Sequence, residues 1–518
     1  MDNDPEKLVC VCNEHSCGDL DFDWPTKANE AFLVQSTLSG RRFESSDLTN
    51  LEIDHRFAQT KATYIRVDLD SEHQSILGWG GAFTDSTGEN LNNLSRNLSV
   101  RLIESYYGKN GLQYNFGRVP IGGTDFSPRP YSYDDSDGPD YNLTQWSLAE
   151  EDHTLKIPWI KEALKIAKSA GTDIKLFGSP WTPPIWMKSS NSFVRGHLIN
   201  EDRIYRSYTN YLMKFYDAYE KNGIHFWGAT VQNEPISSFL PYFYFFNSLQ
   251  YNNEEYIRFI TKYLGPALEA RGWTKDKFKL MVGDDSLGFV NFQIPAIFRN
   301  PEVQKYVSGV AFHWYTSGNL VTYDHLKGIY EGTKDKVEFV LMTEACKGSA
   351  RGKKVDLGSW DRGEAYALDI IEDLNRGTSG WIDWNMALNL QGGPSWAKNM
   401  VDSPIIVDAD KNEFYKQPMY YALAHFSRLF KAGSVQVDAK VKRGAFGIFS
   451  KSKVMVAAVV NRQTGHLVVN ILNTSRAVQK IQITVAGSKG LGSSQQLKSF
   501  TVEGKSVNSV VLKLGASQ

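Results

Sequence analysis

The sequence predicts an α/β protein: a parallel TIM (β/α)8 barrel flanked by β-rich segments. Three observations carry that reading. From about residue 74, short apolar runs alternate with amphipathic helical stretches. Eight such runs occur, and most end in a polar or aromatic residue. The chain on either side reads instead as half-buried and antiparallel strands.

The eight candidate strands are Gln74–Phe83, Leu112–Ile121, Ile174–Ser179, Phe226–Gln232, Phe278–Val282, Val307–His313, Val337–Met342 and Gly380–Trp384. Between them, Ile157, Ile160, Leu164 and Ala167 follow one helical face, which Gly171 ends. Further helices are expected over Arg203–Asn222, Glu254–Arg271 and Gly363–Asn375. An open doubly wound sheet is the competitor. The strand ends favour the barrel: Asp85, Asp125, Trp181, Glu234, Asp284, His313, Trp314, Glu344, Trp384 and Asn385 would gather at one mouth. In the flanks, Ile65, Val67 and Leu69 alternate with Arg66, Asp68 and Asp70. Beyond residue 434, Lys453–Asn461, His466–Asn473, Lys480–Ala486, Leu497–Val502 and Ser509–Leu514 read as antiparallel strands. Both flanks together would build a β-sandwich.

The 518 residues are 42% hydrophobic and 13% aromatic, which suits a large buried core. The longest apolar stretches, such as Val454–Val460, are too short to cross a bilayer. Net charge is -1, which gives no reason to expect a chain-wide nucleic-acid binder. That total is a sum of opposed blocks. Residues 434–518 hold 12 Lys/Arg against 2 acids, so residues 1–433 carry about -11. All 13 Trp lie between Trp24 and Trp396. The basic block reads either as a solvated face or as a docking surface for anionic lipid or an acidic partner.

Of four cysteines, Cys10, Cys12 and Cys17 cluster and Cys346 stands alone. Their spacing fits no zinc site, and no metal is expected. They read as a small disulfide knot, with Cys12–Cys17 the expected bridge. Sequons at Asn93, Asn97, Asn142 and Asn473 add to a secretory or lumenal reading. The start, Met1-Asp2-Asn3-Asp4, is acidic and shows no signal peptide.

Two strand-end segments carry chemistry: Gln232-Asn233-Glu234-Pro235 and Thr343-Glu344-Ala345-Cys346. A buried lone carboxylate is costly, so each needs partners or a raised pKa. Two facing one cavity are what glycoside hydrolysis requires, one as acid/base and one as nucleophile. The plainer alternative is that they pair with Arg118 or cap helices. Trp181, His313, Trp314, Tyr315, Trp384 and Trp396 supply rings on which a sugar stacks; Asp85, Asn233 and Asn399 supply polar neighbours. Gly78-Trp79-Gly80-Gly81 lacks the third glycine of a dinucleotide fingerprint, and no cofactor is expected. Asp284-Asp285 reads as a solvated turn rather than a metal site.

These residues carry a family resemblance. Val9-Cys10-Val11-Cys12-Asn13, Gly78 to Asp85, Arg118-Val119-Pro120, Ser179-Pro180-Trp181-Thr182, Asn233-Glu234-Pro235, His313-Trp314-Tyr315, Glu344-Ala345-Cys346, Leu357 to Gly363 and Val401 to Asp408 resemble the acid β-glucosidases (glucosylceramidases) of glycoside hydrolase family 30. The resemblance runs nearly end to end. It implies a retaining hydrolase that cleaves glucosylceramide, with Glu234 as acid/base and Glu344 as nucleophile. It implies that Asp85, Trp181, Asn233, Trp384 and Asn399 hold the glucosyl unit, beside His313 and Tyr315. It also implies three units. Residues 1–27 with 386–417 would form a small three-stranded sheet with the disulfide knot. Residues 30–73 with 434–518 would form an immunoglobulin-like sandwich, and 74–385 with 418–433 the catalytic barrel. Work in the lysosome lumen, peripheral to anionic membrane lipid and with a saposin-like activator, is implied as well. The chain departs from the family in two places. No cysteine precedes Cys10 to form the family's other bridge, and the Phe- and Tyr-rich loop from Ile236 to Asn253 matches poorly. The rival readings are a family-30 hydrolase of soluble glycans, such as a β-1,6-glucanase or xylanase, and a non-catalytic glycolipid-binding protein.

Overall fold

The computed structural model describes residues 6–48, 62–240, 245–318, 321–349, 352–442, 453–487, 495–496 and 499–515. Leu497 of the expected strand Leu497–Val502, and Arg443, Lys451, Lys489 and Lys498 among the basic residues after 434, lie outside the described residues.

Eight parallel strands close into a barrel in chain order. They are β1 (Gly78–Ala82), β2 (Phe116–Ile121), β3 (Lys175–Pro180), β4 (Gly228–Thr230), β5 (Lys279–Ser286), β6 (Val307–His313), β7 (Phe339–Glu344) and β8 (Thr378–Asn385). β8 pairs with β1, Gly380 opposite Gly78, and the sheet has no edge. The glycines of β1 allow its close approach to β2. A Cβ on Gly80 would lie 2.6 Å from the Phe116 carbonyl oxygen. Gly78 has φ 144, and the Asn115 side chain occupies the place of its Cβ.

Three strands are shorter than the apolar runs suggest, the run Phe226–Gln232 pairing only over Gly228–Thr230. The run from Gln74 is divided: Thr63–Ser75 belongs to the flanking sheet, and the barrel strand begins at Gly78. Gln74 marks the joint, its amide donating to the carbonyls of Leu374 and Thr378. The run from Leu112 starts pairing at Phe116, because Gln113 has φ 55 and Tyr114 N–H bonds back to Tyr106. The helix expected over Glu254–Arg271 is interrupted by a π-turn at Ile260–Leu264, just before Pro266, which has no N–H to donate.

The flanks form one ten-stranded sheet, antiparallel but for one parallel pair, rather than two separate ones. It joins Ala31–Thr37, Glu44–Asp47 and Thr63–Ser75 to the strands after residue 434. Period 2 separates its faces. Leu467, Val469, Ile471, Val510 and Leu512 enter a core with Ile65, Val67 and Ile483. Their neighbours Val468, Leu472, Val507 and Val511 pack into the barrel's core. Burial on both faces explains the continuous apolar runs. The small sheet has four strands, not three: Ala387–Asn389 extends the set of Cys10–Cys12, Glu413–Lys416 and Ile405–Asp408. Cys12 and Cys17 form a disulfide, and Cys10 and Cys346 are free thiols.

The sheet and barrel meet at His425, fully buried on the helix Pro418–Ser427. Its ring bridges the hydroxyls of Ser509 (2.7 Å) and Ser36 (2.9 Å). Burial pushes its pKa down to about 3. The folded state therefore holds it neutral, and the unfolded state protonates first. Its contribution is present above about pH 6.5 and is lost as pH falls toward 3. Urea unfolding of His425→Gln at pH 7 and pH 4.5 should show a smaller acid-induced loss of stability than the parent chain shows.

Candidate active site

Each barrel strand alternates its inward residues, and the alternation builds the site. Phe116, Phe177, Met281, Ala311, Leu341 and Ile382 fill the barrel interior as one apolar layer. Two residues further along the same strands stand Arg118, Ser179, His313, Thr343 and Trp384. An apolar plug thus sits directly beneath a polar and aromatic layer at the C-terminal ends of the strands, the face where barrel active sites lie.

Arg118 occupies the centre of that layer and is fully buried. Its guanidinium donates to Glu344 Oε2, to Asn233 Oδ1 at 2.8 Å, to Asp284 Oδ2 at 2.9 Å and to Ser179 Oγ at 3.1 Å. It also lies 4.8 Å from the ring centre of Trp181 and 5.4 Å from that of Trp384. Tyr315 donates its hydroxyl to the other Glu344 oxygen at 2.7 Å. His313 bridges Glu234 Oε1 (3.1 Å) and Asp284 Oδ1 (3.0 Å). One ligand atom each from Glu234, His313 and Glu344 lie within 4.8 Å of one another. Those atoms could in principle surround a cation, but the Arg118 guanidinium already holds Glu344 and both His313 nitrogens are engaged. The donor set reads as an ion-pair network.

Electrostatics follow from burial and partners. Burial opposes charge on His313, yet Glu344, Asp284 and Glu234 together raise it to about 10. Burial raises the Glu344 carboxyl, with His313 and Arg118 pulling it back. At Asp284 burial is outweighed by Arg118 and His313, so its carboxyl is held well below the usual range.

Trp181 and Trp384 stack 5.2 Å apart and form an aromatic wall with Tyr315 and Trp396 around it. Asn233, His313, Tyr315, Trp181, Trp384 and Asn399 all converge here. Asp85 lies behind this wall: its Oδ2 accepts from Tyr131 (2.9 Å) and from Ser127 (2.5 Å), whose carbonyl in turn accepts the Trp396 N–H, and its buried Oδ1 has no hydrogen-bond partner and lies 3.7 Å from Lys156. The acid beside Asn399 is Asp125, which accepts from its amide at 2.8 Å. Burial raises Asp125 to about 7, with Glu344 and Glu234 adding to the effect. Asp125 also closes a strand–loop junction, so the same position rule that singled out Asp85 reaches it. Asp284 and Asp285 are fully buried, not a solvated turn. An Arg inside the apolar run Phe116–Ile121 was the signal for the partner of Asp284, since a buried guanidinium demands acceptors. Asn93, Asn97 and Asn142 are exposed. Asn473 is buried, its amide donating to Ala477 and Glu503 carbonyls, and cannot carry a glycan in the folded chain.

A closed parallel barrel whose strand ends bring two carboxylates together beside an aromatic wall defines a glycoside hydrolase. Residues 76–430 match the glycosyl hydrolase family 30 TIM-barrel domain, and the chain belongs to that family. It is 40% identical to putative glucosylceramidase 3 of Caenorhabditis elegans over 474 residues, 90% of this chain and 89% of the relative. It is 37% identical to the lysosomal acid glucosylceramidase of Mus musculus over 488 residues, 92% and 89% of the two chains. Among solved structures, SrfJ from Salmonella typhimurium shares the fold at TM-score 0.80 and 24% identity, covering 94% of this chain and all of that one. The endo-β1,6-glucanase BT3312 does so at TM-score 0.75 and 24% identity, covering 93% and 99%.

Replacing Arg118 by Met should leave Glu344 and Asp284 buried without their cation. Urea unfolding near pH 6 should register a loss of about 3–5 kcal/mol, and an unchanged midpoint would contradict the central role given to Arg118.

Proposed function

We propose that the chain is a retaining β-glucosidase that hydrolyses glucosylceramide to glucose and ceramide. The carboxylate spacing carries the retaining assignment. Glu234 and Glu344 place oxygens within 4.8 Å, close to the roughly 5–5.5 Å of retaining enzymes and short of the roughly 6.5–9.5 Å that an inverting water needs. Arg118 and Tyr315 donate to opposite oxygens of Glu344, which suits an ionised nucleophile. Arg118 and His313 are two cations facing Asp284, Glu344 and Glu234, so this set is neutral when one acid holds a proton. Asp284 and Glu344 both face Arg118, while Glu234 faces His313, and this difference in partners assigns the acid/base role to Glu234.

In the first step Glu344 attacks C1 from one face while Glu234 gives its proton to the aglycone oxygen. The C1–O bond to the aglycone breaks, and an ester to Glu344 forms. In the second step Glu234 takes a proton from water, whose oxygen attacks C1 and frees Glu344. Two inversions leave glucose in the β configuration. Trp181, Trp384, Asn233, Asn399 and Asp125 line the sugar's place, and Asp85 braces the Asp125 loop through Ser127.

The lipid aglycone rests on different observations. The relatives of highest identity named above are glucosylceramidases. The loop after β4 exposes Phe239 at 42%, Leu240 at 39% and Phe245 at 51%, an apolar rim suited to an acyl aglycone or a bilayer. The name of the mouse relative supports a lysosomal setting, with the enzyme peripheral to membrane and assisted by a saposin-like activator. No described helix is long and apolar enough to cross a membrane. Basic residues after 434 would add attraction to anionic lipid, although several are already paired within the chain.

On an aryl β-glucoside, Glu344→Gln should lose at least about 10³-fold in kcat. A 2-fluoro β-glucoside inactivator should leave its adduct on Glu344 in peptide mass spectra, and the first product anomer seen by NMR should be β. An adduct elsewhere or an α anomer would sink the assignment.

Substrate choice is tested by assaying glucosylceramide in phosphatidylserine vesicles against β-1,6-glucan and xylan. Turnover of the lipid, falling as salt rises, is expected. Faster turnover of either polymer would favour the soluble-glycan reading. Binding of glucosylceramide with no hydrolysis at pH about 5 would favour a non-catalytic protein.

A further inference from the structure

β5 ends in two consecutive aspartates that the double displacement does not use. Asp284 belongs to the Arg118 and His313 network. Asp285 is also fully buried, but it reaches the segment that follows Glu234. Its Oδ2 accepts the N–H groups of Ile236 at 2.8 Å and Ser237 at 2.9 Å. Its Oδ1 accepts the Ser286 N–H at 2.7 Å and the Ser237 hydroxyl. Three of the four donors thus lie within three residues of Glu234.

That segment starts from an unusual backbone. Glu234 has φ 47 and Asp284 has φ 55, in the left-handed region that non-glycine residues rarely occupy. The Glu234 N–H donates to the Asp284 carbonyl oxygen at 2.8 Å. Backbone of this kind persists only where its surroundings over-determine it. Here the aspartate pair does so from both sides. Asp284 holds Glu234 itself through backbone and, by way of His313, through the carboxyl. Asp285 holds the two residues after Pro235.

We propose that Asp285 is a positioning residue that aims Glu234 at the leaving-group oxygen. The proposal rests on the reading of Glu234 as acid/base. Its physical basis is that each Asp285 oxygen accepts two donors. The isosteric Asp285→Asn change must then set an NH2 group against two N–H or O–H donors, whichever way the amide turns. The 235–238 turn has to move, and Glu234 moves with it. Glu344 is held by Arg118 and Tyr315, which Asp285 does not touch, so attack by the nucleophile is spared.

The test compares two β-glucosides through kcat/KM, which reports the first step. An alkyl glucoside needs protonation of its leaving group, and a 2,4-dinitrophenyl glucoside does not. Asp285→Asn should lower kcat/KM for the alkyl glucoside by about 10²-fold and change the dinitrophenyl value by less than about threefold. Equal loss on both, or no loss on either, would overturn the proposal. Should Asp285→Asn fail to fold, Ser237→Ala removes one donor only. It should show the same divergence at about three- to tenfold, and parallel values would be equally fatal. Glu234→Ala with added azide separates the two readings. If azide does not restore its turnover of the dinitrophenyl glucoside, the acid/base role of Glu234 fails, whatever Asp285 shows.

Discussion

The site depends on one buried cation. Arg118 donates to four acceptors from four other strand ends or the loops that follow them, and lies against the Trp181 and Trp384 rings. A guanidinium taken out of water is costly unless its donors are all met. Meeting them requires β3, β4, β5 and β7 to arrive at one height, which a closed barrel with staggered register achieves. Fold and chemistry are therefore coupled through a single side chain. The barrel supplies acceptors from strands distant in sequence, and the guanidinium repays their burial by fixing where Glu344, Asn233 and Asp284 point.

Much of this was legible in the sequence because it rests on period. Apolar runs of strand length, helices between them and polar strand ends are local patterns, and they located all eight barrel strands. What failed was what local pattern cannot encode. The run from Gln74 is continuous in hydropathy but changes sheet at a glycine with positive φ. Asp284-Asp285 looks like a turn until the distant Arg118 and His313 are placed beside it. Asp85 and Asp125 are equivalent by strand position, and only packing shows which donors each meets, Ser127 and Tyr131 for the first and Asn399 for the second. The flanking sheet was visible as strands, but its continuity into one ten-stranded path depends on pairings between residues hundreds apart, such as Ala31 with Leu512.

The near-zero net charge resolves in space as well as in sequence. Arg462 pairs with Glu72 at 2.6 Å, Arg476 with Glu6 at 2.8 Å and Lys505 with Glu364 at 2.9 Å. Each joins the basic segment after residue 434 to an acid earlier in the chain. Lys440 and Asp438 pair within the segment. Surface pairs of this kind contribute little stability singly. Their effect here is on the field: they neutralise part of the tail where it meets the rest of the molecule. The charge available to an external anionic surface is thus smaller than the composition of the tail suggests.

Acid pH places opposite demands on the two buried histidines. His425 is neutral in the fold, so acid works against it. His313 has its folded pKa raised to about 10 by Glu344, Asp284 and Glu234. Raised above its unfolded value, it contributes stability that is fully present below about pH 6.5 and is lost only as pH climbs toward 10. Through the acid range His313 therefore keeps its charge and both of its hydrogen bonds. It cannot be the group whose titration shapes an acid-range rate profile. The network that His313 shares with the ionised Asp284 therefore holds its form through the acid range.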